Sequence, residues 1–74
     1  KKEFLVLELL LRHPDRLLSR RYLLDNVWGF DSAVRPRVVD LCVFQVRKKL
    51  GPKWGPRLKT RRGFGYLFET VGGS

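Results

Sequence analysis

Seventy-four residues make one small domain, and a chain of this size buries only about 60–65% of its unfolded surface. Sixteen Lys and Arg against seven Asp and Glu give a net charge of +9, while the lone Cys42 and lone His13 exclude an internal disulfide and a protein-built zinc site. No apolar run reaches membrane-spanning length, and the early acidic residues Glu3 and Glu8 argue against a cleavable leader.

Residues 2–12 read as a first helix. Phe4, Leu7 and Leu11 share one face, and Leu5, Val6, Leu9 and Leu10 fill most of the rest. Only the sector around Lys1, Glu8 and Arg12 is polar, so this helix is expected to be buried on several sides. Pro14 ends it, and residues 13–16 form a turn.

Ser19 is a good N-cap for a second helix over residues 20–28, with Leu23, Leu24 and Val27 inward and Gly29 as the stop. Arg20 and Arg21 stand in its first turn, where the helix dipole disfavours cations by roughly 0.3–1 kcal/mol each. Two readings are open: an anion bound at that helix N-terminus, or two exposed arginines that tolerate the small cost.

A loop over residues 30–36 leads to a third helix, with Pro36 in its first turn. Val39, Val43, Val46 and Leu50 fall at i, i+4, i+7 and i+11 and form its buried stripe. The opposite face carries Arg37, Leu41, Phe44, Gln45 and Lys48, flanked by Val38, Cys42 and Lys49. Gly51 and Pro52 end the helix, and residues 53–56 form a loop with Trp54. Residues 58–62 and 66–69 alternate as two strands joined around Gly63-Phe64-Gly65. Residues 71–74 form a frayed tail after a domain spanning 1–70. The fold class is mainly α with a small β-hairpin: three helices plus a C-terminal wing, a winged helix-turn-helix.

The charge is uneven. Residues 1–34 carry six basic and five acidic side chains, whereas residues 35–74 carry ten and two. A net +8 is thus concentrated on the third helix and the hairpin, which suits a large polyanion and points to duplex DNA.

The segments KEFLVLELLLRHPDRLLSR (2–20), YLLDNVWG (22–29), RVVDLCVFQVRKKL (37–50) and LKTRRGFGYLF (58–68) resemble, in order and spacing, the winged-helix DNA-binding domain of OmpR/PhoB-type bacterial response regulators. The resemblance implies sequence-specific binding to double-stranded promoter DNA, as dimers or tandem copies on repeated half-sites. It implies a recognition helix over 36–50 in the major groove and a wing over 58–69, including Phe64 and Leu67, on the minor groove or its phosphates. The loop with Phe30, Asp31 and Arg35 corresponds to the family's RNA polymerase contact. Such domains are output modules of two-component systems in the bacterial cytoplasm, associated with the nucleoid when bound to DNA. They are not enzymes and carry no cofactor. In the family a small antiparallel sheet and a phosphorylatable receiver domain come before the first helix; neither is in this sequence, which therefore reads as a fragment of a longer regulator.

Several positions depart from the family pattern. Val38, Cys42 and Gln45 stand where Thr, His and Arg are common, Leu67 where the wing often has Arg, and Arg61 where an apolar residue is usual. Arg37, Val38, Leu41 and Gln45 are the base-reading candidates: Gln pairs with adenine, Arg with guanine, and small apolar groups with the thymine methyl. For Val38 and Leu41 the alternative is packing against the second helix or the wing. Phe44 either covers the loop or meets another protein. The phosphate candidates are Arg20, Arg21, Cys42, Lys48, Lys49, Arg61 and Arg62, with Cys42 also readable as a core-edge residue. Asp40 and Arg47 are expected to join a structural ion-pair network instead. A winged-helix protein-interaction module, favoured by Leu41, Phe44 and Leu67, is the alternative to DNA reading. RNA binding is weaker, since sequence-specific RNA readers usually stack bases on sheet aromatics.

Overall fold

The computed structural model describes residues 1–30 and 33–70, so Asp31 and the expected tail lie outside the described residues. Helix α1 spans Lys2–Arg12 and ends where Pro14 forbids another turn. Val6 and Leu10 of this helix are fully buried, but Phe4 is 64% exposed and Leu5 and Leu11 are exposed as well. The helix is therefore covered on one side only, which corrects the expectation of burial on several. In the turn that follows, the Arg16 N–H donates to the His13 carbonyl at 3.2 Å.

After Leu17, two residues form a strand the sequence did not announce. β1, Leu18–Ser19, precedes α2, Arg20–Val27. Ser19 also caps that helix, its Oγ accepting the Tyr22 N–H at 2.9 Å. Gly29, at φ 107°, stops it with its N–H on the Leu24 and Asp25 carbonyls.

α3 spans Arg37–Trp54, with a break at Gly51 (φ 84°, ψ 178°). The first part of α3 thus ends at the glycine, as its sequence predicts. The expected loop after it is instead a resumed helical turn, Pro52–Trp54, followed by a 3₁₀ turn, Gly55–Arg57. Pro52 allows this because the first helical position needs no N–H.

β2, Leu58–Arg61, and β3, Gly65–Phe68, form the hairpin. β3 lies at the centre of a three-stranded antiparallel sheet in the order β1-β3-β2. Leu18 pairs with Tyr66 and Ser19 with Gly65 on one side; Thr60 pairs with Tyr66 and Arg61 with Gly65 on the other. The core gathers Val6, Leu10, Leu23, Leu24, Val39, Val43, Val46, Leu58 and Phe68 beneath this sheet and between the helices. The expected stripe of α3 is buried at Val39, Val43 and Val46, with Leu50 partly buried beside it. Burying these groups is the main favourable contribution to folding.

Candidate nucleic-acid interface

The outer face of α3 forms because its opposite face is apolar. Once Val39, Val43 and Val46 are buried, the helical period turns Arg37, Leu41, Phe44, Gln45 and Lys48 outward, and all five are exposed. Leu41 and Phe44 stand 56% and 55% exposed, an apolar surface flanked by polar and basic groups. The Lys48 ammonium lies 5.5 Å from the Phe44 ring centre, which resolves part of the question about that aromatic: it forms a shelf under a cation. Val38 is partly buried and packs on the core, so packing takes up much of the side chain that the sequence left open to a thymine contact.

Of two flanking candidates, one is covered and the other has a partner on α1. Cys42 is 7% exposed, and burial pushes its thiol pKa up, aided by the nearby Glu3 carboxylate and opposed by Lys49. A buried neutral thiol is not a phosphate ligand. Lys49 is exposed but turned toward α1, where its Nζ meets Glu3 Oε1 at 2.6 Å.

The arginines of α2 are also already partnered. Arg20 Nη2 lies 2.9 Å from Asp40 Oδ2, and Arg21 Nη1 lies 3.3 Å from Asp25 Oδ1 one turn on. The protein supplies its own carboxylates where sequence reasoning weighed a bound anion against a tolerated cost. Both side chains remain substantially exposed, so these ion pairs are weakly held.

Asp40 has a second partner: its Oδ1 accepts the Tyr66 hydroxyl. Burial, then this hydrogen bond and the Asp40 charge, push the Tyr66 pKa up to about 12. Arg47 turns to the hairpin as well, its Nε on the Leu58 carbonyl at 2.8 Å and its Nη2 on Thr60 Oγ1 at 2.5 Å. Asp40 and Arg47 are thus structural, as expected, though each fastens the hairpin rather than the other. Sequence reasoning missed Thr60 and Tyr66 as their partners; only the alternation of the strands, which puts the two on one face, hinted at it.

Beyond these fasteners the hairpin tip is exposed. Arg61, Arg62 and Phe64 are exposed, Phe64 at 70%, and the turn closes through the Phe64 N–H on the Arg61 carbonyl at 2.9 Å. Neither arginine has a carboxylate partner among the described residues. Leu67 does not reach the tip; it lies half-buried in β3 with Lys59 as its cross-strand partner. Phe30 and Arg35, at the two ends of the loop before α3, are exposed. Among the described residues no helix is long and apolar enough to cross a membrane.

The chain therefore presents an exposed face of mixed polar, basic and apolar side chains on one helix and a basic hairpin tip beside it. Residues 1–68 match the family described as "Transcriptional regulatory protein, C terminal". The chain is 45% identical over 67 residues to the transcriptional regulatory protein TrcR of Mycobacterium tuberculosis, a match covering 90% of this chain and 26% of that protein. Among solved structures it superposes on the DNA-binding domain of Bacillus subtilis CssR with a TM-score of 0.81 and 39% identity, over 90% of this chain and 73% of that one. It superposes on the Klebsiella pneumoniae RstA DNA-binding domain, solved in complex with the RstA box, with a TM-score of 0.79 and 34% identity, over 93% and 70% of the two chains.

Proposed function

Because this chain belongs to the C-terminal domain family of transcriptional regulatory proteins, of the OmpR/PhoB type, we propose that it binds double-stranded promoter DNA sequence-selectively as the output domain of a two-component response regulator. α3 enters the major groove, and the β2–β3 hairpin rests on the adjacent minor groove or its phosphates. The observation that carries this reading is the outward stripe of Arg37, Leu41, Gln45 and Lys48 beside a hairpin tip whose two arginines are exposed and have no carboxylate partner among the described residues. Gln45 reads an adenine edge, Arg37 a guanine or a phosphate, and Leu41 a thymine methyl, with Val38 contributing only what its partial burial leaves open. Lys48, Arg61 and Arg62 hold phosphates and set the register. Arg20 and Arg21 add to the field but reach a phosphate only by leaving Asp40 and Asp25.

The chain spans about a quarter of the length of TrcR, and its place in a longer regulator is part of this proposal. Its receiver domain, its cytoplasmic setting, and binding as dimers or tandem copies on repeated half-sites belong to the same proposal. Contact with RNA polymerase through the loop at residues 30–35 is supported by the exposed Phe30 and Arg35 that border it. The protein-interaction alternative is not favoured: the RstA domain of the same fold is solved on its DNA box, and Leu67 is held within the sheet. Selection of bound duplexes from random DNA tests the proposal. A preferred sequence should emerge, and an unenriched pool would reject it.

A further inference from the structure

Two side-chain hydrogen bonds from α3 to the hairpin converge on a single rung, and a third, from Arg47 Nε, reaches the Leu58 carbonyl two residues back. Asp40 takes the Tyr66 hydroxyl, Arg47 takes the Thr60 hydroxyl, and Thr60 and Tyr66 are cross-strand partners. The Arg47 guanidinium also lies 6.0 Å from the Tyr66 ring centre. Asp40 and Arg47 stand two helical turns apart, roughly 10 Å along the axis, so the rung is braced at two separated points. Asp40 also pairs with Arg20 of α2, an exposed ion pair that adds little to the brace. The next rung outward is Arg61 with Gly65, and beyond it stand Arg62 and Phe64.

The strands of the hairpin are four residues each, and β1 adds only two residues of pairing, at Gly65 and Tyr66, so a single side-chain attachment to α3 would fix the tip less firmly against that helix than two. The two points on one rung lie immediately before the arginine-bearing tip. Phosphate contacts carry no sequence information but fix where a reading helix stands on the bases. Resting on the DNA-binding reading above, we infer that Asp40, Arg47, Thr60 and Tyr66 are positioning residues for base selection: they join wing tip and reading face into one rigid unit, so that the tip's phosphate contacts set the register of Gln45 and Arg37. None of the four contacts DNA in that reading.

Tyr66→Phe and Thr60→Val each remove one hydroxyl from the brace and keep the shape of the side chain. The test compares affinity for the selected duplex and for a scrambled duplex, with melting temperature followed in parallel. In the double variant the selectivity ratio should fall about tenfold, the scale of one base-pair mismatch, while scrambled-DNA affinity stays within about twofold because phosphate neutralisation is kept. Each single variant keeps one fastener and should lose about two- to fourfold in the ratio by the same reasoning. The single variants read the inference even where the double variant melts too low. A lowered melting temperature with an unchanged ratio would mean the brace only stabilises the fold, and would overturn the inference. A wild-type chain with no preference between the duplexes would instead overturn the DNA-binding reading beneath it.

Discussion

Lys49 reaches from the recognition helix back to Glu3 of α1, with 2.6 Å between ammonium and carboxylate, whereas the adjacent Lys48 lies over Phe44 on the opposite flank. Two neighbouring lysines of identical chemistry are thereby separated by direction alone. Lys48→Ala should weaken binding to every duplex and reduce the salt slope by about one, since one phosphate contact is lost. Lys49→Ala should leave the slope unchanged. Affinities across a salt series for both variants decide it; equal slope changes would place Lys49 on the DNA as well.

Gln45 carries the clearest base-reading chemistry on the outward face. Gln45→Ala should cost about 1–3 kcal/mol on the preferred site and relax selection at one base pair. Competition against single-base variants checks this. A uniform loss with base preferences intact would show that a different face reads the bases.

The backbone of Leu18 approaches β3 where Gly65 has no side chain. A Cβ there would stand 2.1 Å from the Leu18 carbonyl oxygen and 2.8 Å from Ser19 Cα, and Gly65 also holds φ 152°. Backbone atoms cannot swing aside, so Gly65→Ala should cost at least about 2–3 kcal/mol. For a domain of this size that lowers Tm by roughly 10 °C or more. A melting curve within a few degrees of wild type would contradict the close approach.

Tyr66 makes stability sensitive to alkali. Its pKa is raised to about 12 in the folded chain, against about 10 when unfolded. The neutral phenol is therefore favoured by folding. Its contribution is fully present below about pH 10 and is lost as pH rises toward 12. Tyr66→Phe should remove that part of the alkaline loss, flattening stability against pH across the window. Parallel curves for wild type and variant would place the phenol outside the Asp40 hydrogen bond.

The three helices, their stops and the hairpin were legible because each leaves a local trace: the valine stripe of α3, Ser19 before α2, and glycines where φ turns positive. Leu18–Ser19 was not. A two-residue strand has no alternation to read, and its partners lie more than forty residues away. Gly65 carried the only hint, and it reads equally well as a turn glycine. The outward face of α3 followed from period alone, so Arg37, Leu41, Gln45 and Lys48 stand where expected. The flanks did not follow, because whether Cys42 is covered and where Lys49 points depend on α1, a neighbour that periodicity within one helix does not reveal. The pairing of Arg20 with Asp40 likewise joins two helices across twenty residues.

On the proposed reading, this basic surface selects sequence and does more than attract polyanions. Titration of the chain onto its selected duplex and onto a scrambled duplex, across a salt series, tests it most directly. With Lys48, Arg61 and Arg62 on three phosphates, log affinity should fall with log salt at a slope of about −3 on the specific duplex. The selected duplex should bind at least about a thousandfold more tightly at physiological salt. Equal affinity for both duplexes, or binding indifferent to salt, would contradict the account.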